Sequence, residues 1–267
     1  MELLSTKEIK EKLLNILIDF ARFCDKNNLR YYLSSGTLLG AVRHNGFIPW
    51  DDDIDVSMPY EDYKVFLKLY PQSGSPKYKL YSYDLGNNIL PFAKLYDTSI
   101  TVDSDEGFIG ELNNLWIDIF PLSSTYNNIR KHNRTWRKVH NILMCFWITN
   151  GKTFRTKNQL YRFICSPIRI FKGKFYIKRL RTFVEKTHKK TANSKYCADL
   201  SWGWTIKKQR IKKSNLDNRK TVTFEDHTFY TFNNYEEYLT DLYGNYMILP
   251  PISERVSHQL KTYKIEK

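Results

Sequence analysis

Four aspartates fall within five positions of one short stretch: Asp51, Asp52, Asp53 and Asp55 in IPWDDDIDVSMP (48–59). Carboxylates this close repel one another unless a cation sits among them. Read as a strand over residues 53–57, the stretch turns Ile54 and Val56 into a core. Asp51, Asp53 and Asp55 then share one face, successive Cα atoms roughly 6.5 Å apart, and Asp52 points away. Hard oxygens on a rigid strand suit Mg2+ or Mn2+, which take a few carboxylates and complete their shell with phosphate oxygens. The competing reading is a solvated acidic turn, and the apolar frame of Trp50, Ile54 and Val56 argues against it. A further acid, Asp118, lies among Trp116, Ile117, Ile119 and Phe120. A carboxylate in such company is not buried alone. It either joins Asp53 and Asp55 around metal or forms a structural salt bridge, and the residues alone leave both open.

The elements around these acids must place them. Ser35-Gly36-Thr37 follows the β-rich run 29–34 and opens a short helix, so backbone N–H groups and hydroxyls meet at a helix start that suits phosphate. Many such corners are only turns. Arg43 and His44 end that helix, where an arginine beside a metal-bound phosphate would offset developing charge, unless it is simply solvated. Lys94, in the strand-like run 91–96, is a second cation for phosphate. Ser5-Thr6-Lys7-Glu8 fits a capping box ahead of an amphipathic helix over 6–27; a second helix over 60–70 is expected to stop at Pro71. Residues 78–83, 98–102 and 115–122 read as further strands. Two hydrophobic-acid-hydrophobic strands behind a Gly-Thr corner form the nucleotidyltransferase arrangement. The expectation is an α/β (α+β) fold: a mixed sheet with flanking helices, and an acid triad able to hold two divalent ions.

The chain has 267 residues, 42 Lys/Arg and 28 Asp/Glu, a net charge of +14. Residues 126–220 carry 26 Lys/Arg against 3 Asp/Glu, so the rest of the chain is acidic. This divides it into a catalytic core (1–125), a basic, aromatic-rich helical lobe inserted behind it (126–220) and a C-terminal segment (221–267) that returns to the core. The basic bias implies an anionic partner. The four cysteines are scattered with no Cys-x-x-Cys, which argues against a zinc cluster or a dense disulfide framework. The charged start MELLSTKEIK does not read as a signal peptide, and the apolar run 142–148 is too short to span a bilayer. A cytoplasmic protein is expected.

The segment GTLLGAVRHNGFIPWDDDIDVSMPYEDY (36–63) resembles the signature of the LicD family, and three further pieces follow in order. They are Trp116-Ile117-Asp118-Ile119-Phe120-Pro121, Phe224-Glu225-Asp226, and the tail from Tyr238-Leu239 through Tyr243-Gly244-Asn245-Tyr246 to Pro250-Pro251. The resemblance runs nearly end to end and is diffuse in the middle. It implies transfer of phosphocholine from CDP-choline, or of ribitol or glycerol phosphate from the CDP-alditol, to a cell-surface glycan or teichoic-acid precursor, with release of CMP. By motif, Asp53, Asp55 and Asp118 would hold Mg2+ or Mn2+, Asp51 would assist through water, and Glu225 would touch the acceptor. The tail departs from the family's usual Tyr-Gly-Asp-Tyr at Asn245, and the cysteine pattern does not support the zinc-binding insertion of human relatives.

The basic middle mixes Phe, Trp, Ile and Tyr with Lys and Arg, and Pro167 divides 160–180 into two short helices. Such a segment can lie on an anionic membrane, bind nucleic acid, or form a solvated lobe. No nucleic-acid-binding signature accompanies it. The implied acceptor, a glycan on a lipid carrier, favours peripheral contact with the inner face of the membrane. In DLSWGWT (199–205), an extended chain would set Trp202 and Trp204 on one side, either as core or as a cage for a quaternary ammonium group. Two other readings are carried forward: a sugar transferase using one Asp-x-Asp, and a non-catalytic binder of anionic surfaces.

Overall fold

Ser5 and Glu8 bond reciprocally, Glu8 N–H to Ser5 Oγ (3.3 Å) and Ser5 N–H to Glu8 Oε2 (2.8 Å), which starts α1 (Thr6–Lys26) where the capping box placed it. One stripe of α1, including Leu13, Ile16, Leu17 and Phe20, is buried against the sheet. The computed structural model describes residues 2–103, 112–150, 168, 172–202, 210–255 and 261–264.

Behind α1 come β2 (Tyr32–Leu33), α2 (Ser35–His44), β3 (Asp55–Pro59) and α3 (Tyr60–Ser73). Then follow β4 (Tyr78–Tyr81), β5 (Ala93–Asp103), β6 (Asn114–Thr125), α4 (Ile129–Asn150), α5 (Gly173–Lys190), β7 (Tyr196–Asp199) and β8 (Ile211–Lys212). The remaining elements are the hairpin β9 (Lys220–Phe224) and β10 (His227–Thr231), the helix α6 (Tyr235–Tyr243), and β11 (Lys261–Lys264), which pairs with both β5 and β1 (Glu2–Leu3).

The result is a curled mixed sheet with helices packed around it, the expected α+β class. Its central path runs β1-β11-β5-β6-β3-β2. Only β3 and β6 are parallel within that path; the other neighbours are antiparallel. The long strand β6 is shared along one edge by β5 and then β7, with β3 on the other edge. The basic segment therefore contributes strands to the sheet as well as the packed helix pair α4 and α5. Among the described residues, no helix is long and apolar enough to cross a membrane.

Three local expectations are corrected. Helix α3 does not stop at Pro71 but continues to Ser73, closed by Gly74 N–H to Tyr70 O (2.8 Å). Proline removes one N–H yet has a helical φ, so a final turn tolerates it. Pairing in β3 begins at Asp55 and not at Asp53, although Asp118 N–H still reaches Ile54 O (2.9 Å). The run after Asp199 is not extended. Ser201 N–H and Oγ–H both donate to Asp199 Oδ1, at 2.7 and 2.5 Å, and fold the chain into a bend. Trp204, Pro167 and most of 160–172 lie outside the described residues.

Candidate active site

The sheet register assembles the site. Asp55 on β3 is the partner of Asp118 on β6, and Asp118 is the partner of Lys94 on β5, so cation, acid and acid stand in one row across three strands. Lys94 Nζ is 3.6 Å from Asp118 Oδ1 and 3.9 Å from the centroid of the Trp116 ring, and Trp116 Nε1–H donates to Asp118 Oδ2 (3.2 Å). The salt-bridge reading of Asp118 holds, since it pairs with a buried lysine; its charge also acts on Asp55 and Asp53.

Asp51, Asp53 and Asp55 are half-buried and feel one another, although of the three only Asp55 lies in the paired strand. Burial, then the charges of Asp55, Asp51 and Asp118, push the Asp53 carboxyl well above the usual carboxylate range. Burial and the neighbouring Asp118 and Asp51 do the same to Asp55, against a hydrogen bond from Ser35 that favours its ionised form. Asp52 is buried and not solvated, in the field of Lys10. Asp199, at the end of β7, adds another negative charge near Asp55; burial lifts its own carboxyl to about 6, against the Ser201 bonds that hold it ionised.

The first turn of α2 faces these acids. Thr37 Oγ1 accepts Asp55 N–H (2.8 Å), which ties the helix start to the first residue of β3. A Cβ on Gly36 would stand 2.8 Å from Asp51 Oδ2, so only a glycine lets the acid approach the helix start this closely. Ser35 has a left-handed backbone (φ 48°), and its N–H donates to Tyr238 Oη (3.1 Å). The Gly36 and Thr37 N–H groups belong to the first helical turn, where no internal acceptor exists for them. A phosphate oxygen is the ligand such groups suit.

The acids are hard-oxygen donors, crowded, half-buried and raised in proton affinity, which fits a divalent cation that also takes phosphate oxygens. Among the described residues, no three or more His, Cys, Asp or Glu side chains are placed so that they could hold a metal ion as they stand. Asp53, Asp55 and Asp118 are the residues that would hold the ion, with Asp51 beside them.

Other expected site residues lie elsewhere. Arg43 and His44 are at the far end of α2, about 14 Å along its axis from Ser35. Arg43 Nη1–H donates to Tyr246 O (2.9 Å) and Nε–H to His44 Nε2 (3.0 Å). Glu225 sits in the β9–β10 turn with left-handed backbone (φ 49°), and its Oε1 accepts Phe47 N–H (3.0 Å). Its carboxylate thus holds the loop between α2 and the acids, packed so tightly on Gly46 that a side chain there would collide with it. Trp202 packs edge-on against Phe92 (5.0 Å between centroids) and beside Trp147 (5.3 Å), an aromatic group next to Asp199.

Three contributors escape a reading of the residues alone. Lys10 of α1 donates to Ile48 O (3.2 Å) and Pro49 O (3.1 Å), clamping the loop that leads into the acids. Tyr238 supports Ser35, and burial lifts its phenol to about 12 against the Ser35 hydrogen bonds, which lower it. Burial, then Tyr238 and the charges of Asp55, Asp51 and Asp53, raise the Tyr243 phenol, although the residue as a whole is 44% exposed. The tail motif flagged both tyrosines, but no periodicity in α1 distinguishes Lys10 from a solvated lysine.

This is the layout of a nucleotidyltransferase-type site: paired acids on adjacent strands beside a helix start. Comparison with known proteins agrees. Residues 28–146 match the family described as LicD/FKTN/FKRP, nucleotidyltransferase domain. The chain is 29% identical over 266 residues to the lipopolysaccharide cholinephosphotransferase LicD of Haemophilus influenzae, covering 98% of each. A 34-residue stretch is 53% identical to human ribitol 5-phosphate transferase FKRP, 13% of this chain and 7% of that protein. An uncharacterized protein of Rickettsia prowazekii, RP689, is 42% identical over 77 residues, 29% of each chain. The chain is thus similar to LicD-family proteins, through the domain match over 28–146 and the end-to-end likeness to the Haemophilus influenzae protein.

Proposed function

We propose that this protein transfers an alcohol phosphate, foremost phosphocholine from CDP-choline, to a hydroxyl of a cell-surface glycan or teichoic-acid precursor. The observation that carries the reading is the Lys94–Asp118–Asp55 row beside the α2 start. Choline is favoured over ribitol or glycerol because the relative matched end to end is a cholinephosphotransferase, whereas the ribitol transferase is matched over 34 residues.

In this reading the N–H groups of Gly36 and Thr37 and the Lys94 ammonium bind the donor's diphosphate. Asp53, Asp55 and Asp118 hold one or two Mg2+ or Mn2+ ions. The bound cation supplies charge neutralisation at the diphosphate and acidifies the attacking hydroxyl. The acceptor oxygen forms a bond to the phosphorus that carries choline, the bond from that phosphorus to the bridging oxygen breaks, and CMP departs with the electron pair. The hydroxyl proton passes to a carboxylate oxygen of the acid cluster, Asp118 foremost. Thr37 and Ser35 keep Asp55 aimed, and Tyr238 keeps Ser35 in place.

A donor panel of CDP-choline, CDP-ribitol, CDP-glycerol and UDP-sugars, followed by phosphorus NMR with Mg2+ or Mn2+, tests this. CMP from CDP-choline supports it; turnover of a UDP-sugar in place of any CDP-alcohol defeats it.

A further inference from the structure

The loop after α6 carries surface that the reaction does not use. Met247, Ile248, Leu249 and Ile252 are 55, 66, 45 and 80% exposed, an aliphatic tip around Pro250-Pro251. The exposed area is on the order of several hundred Å2, a size that marks interaction sites. The loop is shaped and not loose. Ile248 N–H donates to Asn245 O (3.1 Å), and a 3-10 turn over Ile252–Glu254 closes it. Cations anchor its base: Arg43 to Tyr246 O (2.9 Å) and Arg255 Nε–H to Pro250 O (3.0 Å). The Arg255 guanidinium also lies 4.7 Å from the Trp50 ring centroid, and Lys10 holds the carbonyl of Pro49 next to it.

An aliphatic tip, a belt of Tyr243, Tyr246 and Trp50, and a base of Arg43, Arg255 and Lys10 match the composition of a lipid interface. Acyl boundary, headgroup region and lipid phosphates call for these side chains in that order. The exposed Glu254 opposes the trend locally, and the cations that offset it at the loop are Arg43, Arg255 and Lys10. The loop also adjoins the acids, since Arg255 at its base stacks on Trp50, the residue before Asp51.

We propose that the 247–252 loop inserts its aliphatic tip into an anionic bilayer surface and docks the acid site against it. A hydroxyl on a lipid-carried glycan would then meet the site at the membrane plane. That consequence rests on the transferase reading above, whereas the docking itself does not.

Vesicle flotation of the full chain tests the docking, with vesicles of phosphatidylcholine alone and of three parts phosphatidylcholine to one part phosphatidylglycerol. The wild type should float with the anionic vesicles and not the neutral ones. The double variant Ile248→Asp/Ile252→Asp, at exposed positions and with an unchanged melting temperature as the check on folding, should lose binding about tenfold or more. Asp53→Asn should float like the wild type, so failed catalysis and failed docking remain distinguishable. Flotation of the double variant equal to wild type, no flotation of the wild type, or equal flotation with neutral vesicles would overturn the proposal. So would a wild-type dimer in sedimentation that the double variant loses without any vesicle binding, because the tip would then pair two copies.

Discussion

Asp55 and Asp118 are register partners on the two parallel strands at the centre of the sheet, 63 positions apart in sequence and side by side in the fold. Backbone hydrogen bonding, not side-chain attraction, brings them together. Two carboxylates held in place this way keep their repulsion until a cation or a proton relieves it.

Asp55→Asn and Asp53→Asn should each lower CMP release by about a thousandfold or more while leaving the fold intact, since each removes a charge on the reacting diphosphate's counter-ion. Steady-state assays with circular dichroism on the same samples check this. Activity within tenfold of wild type in both would remove these acids from the mechanism.

The same acids make the metal-free protein less stable as pH rises. Their folded proton affinities lie above the unfolded carboxylate range, so the folded state holds protons that the unfolded state has released. Stability from this source is present at low pH and is lost as pH climbs from the ordinary carboxylate range through the raised values. In chelator, Asp53→Asn should therefore melt above wild type at pH 7.5, by about 2–4 °C for each kcal/mol relieved, with the gap closing towards pH 5. Added Mg2+ or Mn2+ should narrow the gap at pH 7.5 by stabilising the wild type alone. Differential scanning fluorimetry across this range reads both effects.

Lys94→Met should act on stability and activity together. The lysine and Asp118 side chains are 7% and 15% exposed, so removing the cation leaves a buried carboxylate beside other acids. Loss of about 3 kcal/mol in urea unfolding is expected. The double variant Lys94→Met/Asp118→Asn should recover much of that stability without recovering turnover.

Tyr238→Phe deletes one hydroxyl and keeps the packed ring. Without that acceptor, the left-handed Ser35 loses its restraint, and Asp55 loses the aim of the Ser35 hydroxyl. The expected result is a modest stability loss of about 1 kcal/mol with a lower kcat and a nearly unchanged KM for the donor. A raised KM with unchanged kcat would instead make Tyr238 a binding group.

Much of the site was legible because it is written in local patterns. The run of aspartates at 51–55 marked the acid group, and an acid among Trp116, Ile117 and Ile119 could only be a residue with partners. The Ser5–Glu8 cap and the apolar stripe of α1 likewise follow from short-range spacing. The rest depends on contacts between distant segments. Nothing near Lys94 says that β5 will pair with β6 in the register that sets it opposite Asp118. Glu225 read as a ligand contact because its motif drew attention to it, whereas its carboxylate holds Phe47 N–H 178 positions earlier. Trp202 looked extended until Ser201 and Asp199 bent the chain. Propensity cannot anticipate such a side-chain turn when the adjoining strand is strong.

The central claim is that Asp55 and Asp118 together support cation-dependent loss of CMP from a CDP-alcohol. The most direct measurement is CMP release from CDP-choline as Mn2+ is titrated, for the wild type and for Asp118→Asn. The account predicts release by the wild type that saturates with Mn2+ and disappears in chelator, and release by Asp118→Asn reduced to background at every Mn2+ concentration. Wild-type release that persists undiminished in chelator, or an Asp118→Asn titration that overlays the wild type, would contradict it.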